Sequence, residues 1–202
     1  MKILHLSDTH GFHGQLNDLP NADVIVHSGD FTKNGTEAEV MDFLNWFIAL
    51  PYKHKAFVAG NHDVCLYGAD IDGLPDDTHY LYGSGVTLEG VRFYGIPMFT
   101  QLLTATPTNG NRYEEMVAQI PMETDVLITH QPPLGVLDSS DVTYWGDAVL
   151  FKKIKDVQPK LHLFGHVHNS NGIMKLGETV FSNASVVDEQ YQLVNTPRLL
   201  SI

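Results

Sequence analysis

The sequence predicts an α/β protein in which two mixed sheets pack together with helices outside. Three observations lead there. Five short apolar runs, at residues 3–6, 24–26, 56–58, 126–128 and 161–164, have the length and branched or aromatic content of buried strands. Two stretches repeat apolar residues at helical spacing. A central hairpin and late strands complete the pattern, and strands of mixed order with few helices suit two packed sheets.

The elements follow in chain order. The first three runs read as buried strands, each with a polar motif just past its carboxyl end. Residues 37–50 form the clearest helix. Thr36 is its N-cap with Glu39 three residues on, a capping box, and Pro51 ends it. Val40, Phe43, Leu44, Phe47 and Ile48 make its apolar stripe, which is core. Residues 86–88 and 91–96, joined at Gly90, read as a hairpin. A second helix spans 147–157 and stops before Pro159, with Val149, Leu150, Ile154 and Val157 facing inward. Residues 180–183 and 199–202 read as closing strands. Segments 66–84 and 98–111 carry no clear period. Loops of that length in a compact domain usually serve function, so both are expected to roof a site.

With 202 residues and no linker or repeat, the chain reads as one domain, 1–202. Its net charge of −12 and its three arginines, Arg92, Arg112 and Arg198, argue against a long nucleic acid as partner. A small anion is still admissible where bound cations reverse the local field. Cys65 is the single cysteine, which excludes an internal disulfide and fits a reducing compartment; the expected location is the cytoplasm. No apolar stretch approaches a membrane span, so no membrane partner is expected. A homo-oligomer is left open.

Each apolar run is followed by a polar motif. These are Asp8-Thr9-His10, Gly29-Asp30, Gly60-Asn61-His62-Asp63, Thr129-His130 and Gly165-His166-Val167-His168. In α/β sheets the carboxyl ends of strands are where ligands bind. Aspartate, asparagine and histidine together suit borderline divalent ions such as manganese, iron or zinc. Seven such ligands exceed what one tetrahedral ion takes and are about right for two ions sharing a carboxylate. A two-ion site clamps both oxygens of an in-line phosphoryl displacement. Of the other histidines, His5, His27 and His162 lie within strands and read as satisfied core residues, with His27 and His162 close enough to tune the site from behind. His13, His54 and His79 read as surface residues. Phe12, Tyr80, Tyr82, Phe99, Tyr113, Tyr144 and Trp145 sit in or beside the segments expected to roof the site, where packing explains most aromatics and base stacking is the alternative role.

The five motifs, in this order, resemble the calcineurin-like metallophosphoesterase superfamily over most of the chain. Longer phrases are similar to its metallophosphoesterase-domain-containing branch: Ser7-Asp8-Thr9-His10, His27-Ser28-Gly29-Asp30-Phe31-Thr32, Thr129-His130-Gln131-Pro132-Pro133-Leu134-Gly135, Phe164-Gly165-His166-Val167-His168 and Asn183-Ala184-Ser185. The resemblance implies an αββα sandwich and two divalent ions, manganese first among the candidates. It implies Asp8, His10, Asp30 and His168 as ligands of one ion. Asp30 as a bridge, with Asn61, His130 and His166, would hold the other. It further implies hydrolysis of a small phosphodiester, cyclic nucleotides included, by a metal-bound hydroxide. His62 would be the proton donor, with Asp63 orienting its ring. Where phosphatases of the superfamily extend the second motif to Asp-Arg-Gly, this chain reads Asp30-Phe31-Thr32, which favours a diester over a dianionic monoester. Asn169 stands where the branch has an acidic residue, and 98–111 matches it poorly. A phosphomonoesterase or nucleotide pyrophosphatase is the alternative within this chemistry. A non-catalytic scaffold is the alternative outside it, although a scaffold would be expected to have lost Asp30, Asn61 or His62.

Overall fold

The computed structural model describes residues 1–100, 112–140 and 143–202. Two mixed sheets, flanked by helices, make the expected α/β sandwich. In the first sheet, β1 (Lys2–Leu6), β2 (Val24–His27), β3 (His54–Phe57) and β4 (Thr78–Tyr80) run parallel in that order. The second contains the hairpin β5 (Ser84–Leu88) and β6 (Val91–Ile96), followed in the chain by β7 (Val126–Thr129). A two-stranded ribbon, β8 (Ser139–Ser140) and β9 (Thr143–Tyr144), stands apart. β10 (Leu161–Phe164), β11 (Gly172–Leu176) and β12 (Thr179–Asn183) complete the second sheet, in spatial order β11-β12-β10-β7-β6-β5. β13 (Arg198–Ser201) returns antiparallel to β1 at the edge of the first.

Strand alternation divides the core in two. One set of side chains lies between the sheets: Ile3, Val24, Val26, Ala56 and Val58 from the first, Phe93, Val126, Ile128, Leu161 and Leu163 from the second. The alternate set faces the helices. Leu4, Leu6, Ile25 and Phe57 belong to the layer that contains Val40, Phe43, Leu44 and Phe47 of α1 (Glu37–Ala49). Phe31 and Phe43 stack there with centroids 4.1 Å apart. α1 begins with the expected capping box, Thr36 and Glu39 each bonding the other's main chain. On the far side lie α2 (Arg112–Ala118), with Tyr113 and Val117, and α3 (Ala148–Val157), with Leu150, Ile154 and Val157. Asp147 caps α3 rather than joining it, accepting from the Leu150 N–H at 2.6 Å.

Three expectations need correction. Segment 66–84 is not all loop, because it carries β4 on the open edge of β3. His13 is not a surface residue: it is buried under α1 beside Phe43 and Trp46, 3.2 Å from Asp42. Val149, assigned to the inner face of α3, is exposed. Of the second presumed roof, residues 101–111 lie outside the described part of the chain. Among the described residues, no helix is long and apolar enough to cross a membrane.

The buried strand histidines make stability depend on pH. His5, between the sheets, bonds Ser182 and Ser28 at 2.9 Å each, and His162 bonds Thr129 at 2.9 Å. Burial pushes both down to about 3, with the Arg198 charge adding to the effect at His5. The unfolded chain takes up a proton at each near pH 6.5, whereas the folded chain does not until about pH 3. Each therefore removes stability as pH falls below about 6.5, with a limiting slope of about 1.4 kcal/mol per pH unit. Urea unfolding at pH 7.5, 6.0 and 5.0 should show falling midpoints, and His162→Gln, which keeps a donor toward Thr129, should flatten the fall. Midpoints equally steep in the variant would show that His162 titrates normally in the fold.

Candidate metal centre

β1, β2 and β3 are parallel to one another, as are β7 and β10, so the five motifs emerge at carboxyl ends. The two sheets are stitched together at that edge. Ser7 exchanges main-chain hydrogen bonds with Ala184 and Val186, and the His130 ring bonds the Ser28 carbonyl across the sandwich. The chain must come close here. A Cβ on Gly165 would collide with Ser7 and Asp8, and one on Gly60 with the Asp30 carboxylate, so only glycine fits. Asp8, Asp30, His10 and His166 all adopt left-handed backbone, with φ of 56°, 57°, 42° and 70°. Such conformations cost energy in a non-glycine residue and gather at functional sites.

These turns bring the motif side chains together. Donor atoms of Asp8, His10 and His168 lie within 4.8 Å of one another, and so do those of Asp30, His130 and His166. Asp30 Oδ2 stands between the groups, 3.2 Å from His130 Nε2 and 3.8 Å from His10 Nε2. Its other oxygen accepts the His62 N–H at 2.8 Å. Asp8, fully buried, takes the Ser185 hydroxyl at 2.6 Å and the His166 N–H, with His168 Nε2 3.4 Å from Oδ1.

The imidazoles are oriented from behind. Nδ1 of His10, His130 and His168 faces the carbonyls of Thr32, Ser28 and Asp188 at 3.1, 2.9 and 3.0 Å. A carbonyl can only accept, so each ring carries its proton on Nδ1 and turns the Nε2 lone pair inward. That is the support typical of metal-binding histidine. The inward atoms then lack partners of their own. His10 Nε2 and His168 Nε2 face each other at 3.4 Å, a spacing that two donors bound at about 2.1 Å to one ion would take. His130 Nε2 and Asn61 Oδ1 are buried without a hydrogen bond. Inward lone pairs and paired carboxylates are a donor set that fits divalent cations.

The electrostatics agree. Burial opposes ionisation of Asp30, yet the His130 charge outweighs it and holds the carboxyl down at about 2. Asp8 is likewise driven well below the carboxylate range, against its burial, by His168 and His130. Burial would lower His130, but Asp30 and Asp8 push it up to about 9. Bound cations would displace that proton, because the same carboxylates that attract it also attract a metal. His166 is pushed down to about 4 by burial and by His130, which keeps it neutral.

His62 and Asp63 part company. The His62 ring packs edge-on against His10 with centroids 4.8 Å apart, and its Nδ1 donates to the Lys33 carbonyl at 2.9 Å. Asp63, expected to orient that ring, faces away from it and is fully buried. Its carboxylate accepts the N–H groups of Asp30, Gly60 and Thr32 at 2.8–2.9 Å and the Thr32 hydroxyl at 2.7 Å. Adjacent side chains diverge, and the unpaired amides of two turns lie on the Asp63 side. Asp63 therefore positions the Asp30 loop, while burial and the Asp30 charge push it up to about 7.

Sequence reasoning did not find Tyr191, whose ring lies 4.8 Å from His10 and 5.7 Å from His168. Nothing local marks it, because it reaches the site from a turn after β12. Trp145 stands beside His166 and is exposed, whereas Phe99 and Tyr113 are core.

Comparison with known proteins agrees with this geometry. Residues 1–170 match the family model described as calcineurin-like phosphoesterase. The chain is 35% identical to UPF0046 protein K07C11.7 of Caenorhabditis elegans, covering 98% of this chain and 73% of that protein. It is 33% identical to metallophosphoesterase domain-containing protein 1 of Homo sapiens, covering all of this chain and 71% of that one. A solved crystal structure superposes with a TM-score of 0.61 at 17% identity, over 90% of this chain and 89% of the other, which speaks to the fold alone. With five motifs converging on one metal-binding edge, the chain belongs to the calcineurin-like phosphoesterase family.

Proposed function

We propose that the protein is a metal-dependent hydrolase of small phosphodiesters, cyclic nucleotides among those to be tried first. The observation that carries the reading is the set of three imidazoles locked by carbonyls with Nε2 aimed at Asp8 and Asp30. Asp8, His10, Asp30 and His168 would hold one divalent ion, and Asp30, Asn61, His130 and His166 the other, with manganese the first metal to supply. Such ions, when bound, provide Lewis-acid stabilisation of the phosphoryl oxygens and an activated water.

The chain's own residues supply the remainder. Asp30, from its place between the two groups, fixes their separation. Asp63 anchors the Asp30, Gly60 and Thr32 amides and keeps that carboxylate in register. The Lys33 carbonyl holds His62 by its Nδ1–H, so the proton for the leaving oxygen would come from Nε2 of the doubly protonated ring, which ends neutral.

Preference for a diester is supported by the scarcity of cations. Among the described residues, those lining the cleft beside His166 and His168 include no lysine or arginine to balance a second phosphate charge. With manganese added to chelated protein, kcat/KM for bis(p-nitrophenyl) phosphate should exceed that for p-nitrophenyl phosphate by at least about tenfold, equivalent to ~1.4 kcal/mol. A monoester preference of that size would move the assignment to a phosphatase, and no turnover of either with two ions bound would favour a scaffold.

A further inference from the structure

Beside the metal centre opens a cleft of ≈ 180 Å³, with His166, Val167 and His168 as its inner wall and Ser140, Trp145 and Glu189 as its outer one. Its walls are held in place. The Trp145 N–H donates to the Asp138 carbonyl at 2.9 Å, and the Trp145 carbonyl accepts the Gln131 side-chain amide. Buried Asp138 also takes the N–H groups of Gly135 and Gly146 at 2.9 and 3.1 Å. Glu189 sits in the turn whose Asp188 carbonyl orients His168, and it accepts the Ser140 hydroxyl. Yet Trp145 is 51% exposed, a large aromatic face left open at the mouth. Among the described residues no lysine or arginine forms an ion pair with Glu189.

The cleft and His62 meet the centre through different side chains, the cleft through His166 and His168 and His62 through His10. His62 packs on His10 and Tyr191, on the side of the first group, while Trp145 packs on His166 of the second. A phosphodiester has two alcohol arms, and one directed toward His62 leaves the other to point elsewhere. We infer that the Trp145–Glu189 cleft receives this second, retained ester arm, and that Glu189 makes it select neutral or cationic arms over anionic ones. The inference rests on the phosphodiester reading. The aromatic face supplies contact area and, for a cation, attraction to the ring. The carboxylate repels an arm that carries its own charge within a few ångströms, and a cleft this small suits a short alcohol rather than a polymer.

The test uses manganese-loaded full-length protein and p-nitrophenyl diesters that differ only in the second arm. The arms are choline, its uncharged isostere 3,3-dimethylbutanol, and an alcohol of similar length ending in carboxylate. The shared p-nitrophenolate leaving group removes any demand for proton donation. Wild type should order kcat/KM as choline, then dimethylbutyl, then carboxylate. Glu189→Gln should narrow the gap between dimethylbutyl and carboxylate about tenfold. Glu178→Gln, the same charge change at the β11–β12 turn, should leave the gap alone. With a methyl arm added as the truncated reference, Trp145→Ala should lower the ratio of dimethylbutyl to methyl ester about tenfold, carried mainly by KM. If Glu189→Gln changes all three arms by one factor, or Glu178→Gln narrows the gap equally, the arm does not lie against Glu189 and the inference falls. Absence of turnover with every diester, two ions being bound, would instead fail the phosphodiesterase reading beneath it.

Discussion

Asp30→Ala is expected to abolish turnover, by about 10³-fold or more, and to deplete metal at both positions. Asp30 Oδ2 is close to imidazoles of both groups, at 3.2 Å from His130 and 3.8 Å from His10, slightly nearer than Asp8 Oδ1, which lies 3.4 Å from His168 and 3.9 Å from His130. Losing one protein ligand from a single-ion site weakens that ion, whereas losing a shared ligand weakens two and leaves facing lone pairs uncompensated. Collapse of the fold is a competing explanation, since Asp30 has a left-handed backbone and accepts the His62 N–H. Asp30→Asn separates the two. Asparagine tolerates φ of that sign and can still accept the amide hydrogen, but it carries no charge for the ions. The Asn variant should unfold within about 1–2 kcal/mol of wild type while still losing metal and activity. Elemental analysis showing two ions per chain in Asp30→Ala would end the bridging role.

His62→Ala should cost about 10²–10⁴-fold with an alkyl or ribose leaving group, or roughly 3–5 kcal/mol of barrier, and far less with p-nitrophenolate. A phenolate of low basicity departs without a proton and has little use for a donor. The structure narrows how His62 can act. Its Nδ1 is committed to the Lys33 carbonyl, so only Nε2 can serve the reaction. A ring nitrogen of His62 falls within 4.8 Å of donor atoms on His10 and Asp30, close enough for His62 to be a ligand instead. Metal content decides between the two. Proton donation predicts wild-type metal with a leaving-group-dependent loss. An equal loss on both substrates together with missing metal would make His62 a metal ligand.

Most of the architecture is legible in the sequence because its carriers are local. The strand runs are continuous and apolar, the helix starting after Thr36 carries both halves of its capping box, and Asp147 with Pro159 brackets the second helix. The order of the motifs is legible for the same reason, since each directly follows its strand. What escapes is long-range. β4 is short, half polar and stabilised by pairing with β3 rather than by its own pattern. His13 is polar by type, and only the distant Asp42 and Trp46 make it a buried residue. The carbonyls of Ser28, Thr32, Lys33 and Asp188 that turn the imidazoles have no side-chain signature at all. Asp63 shows the hazard of adjacency: standing next to His62 suggests a partner, but the amides it accepts come from two turns, at Asp30 and Thr32 and at Gly60. Tyr191 and Glu189 reach the centre from a turn some twenty residues past the last motif, where spacing gives no clue.

The central claim is that these residues bind two divalent ions in one functional unit, and metal titration tests it most directly. Chelated protein would be titrated with manganese, with bound metal and hydrolysis of bis(p-nitrophenyl) phosphate followed on the same samples. The account predicts saturation at two ions per chain and activity that rises only as the second position fills. Saturation at one ion, with full activity already reached, would contradict it.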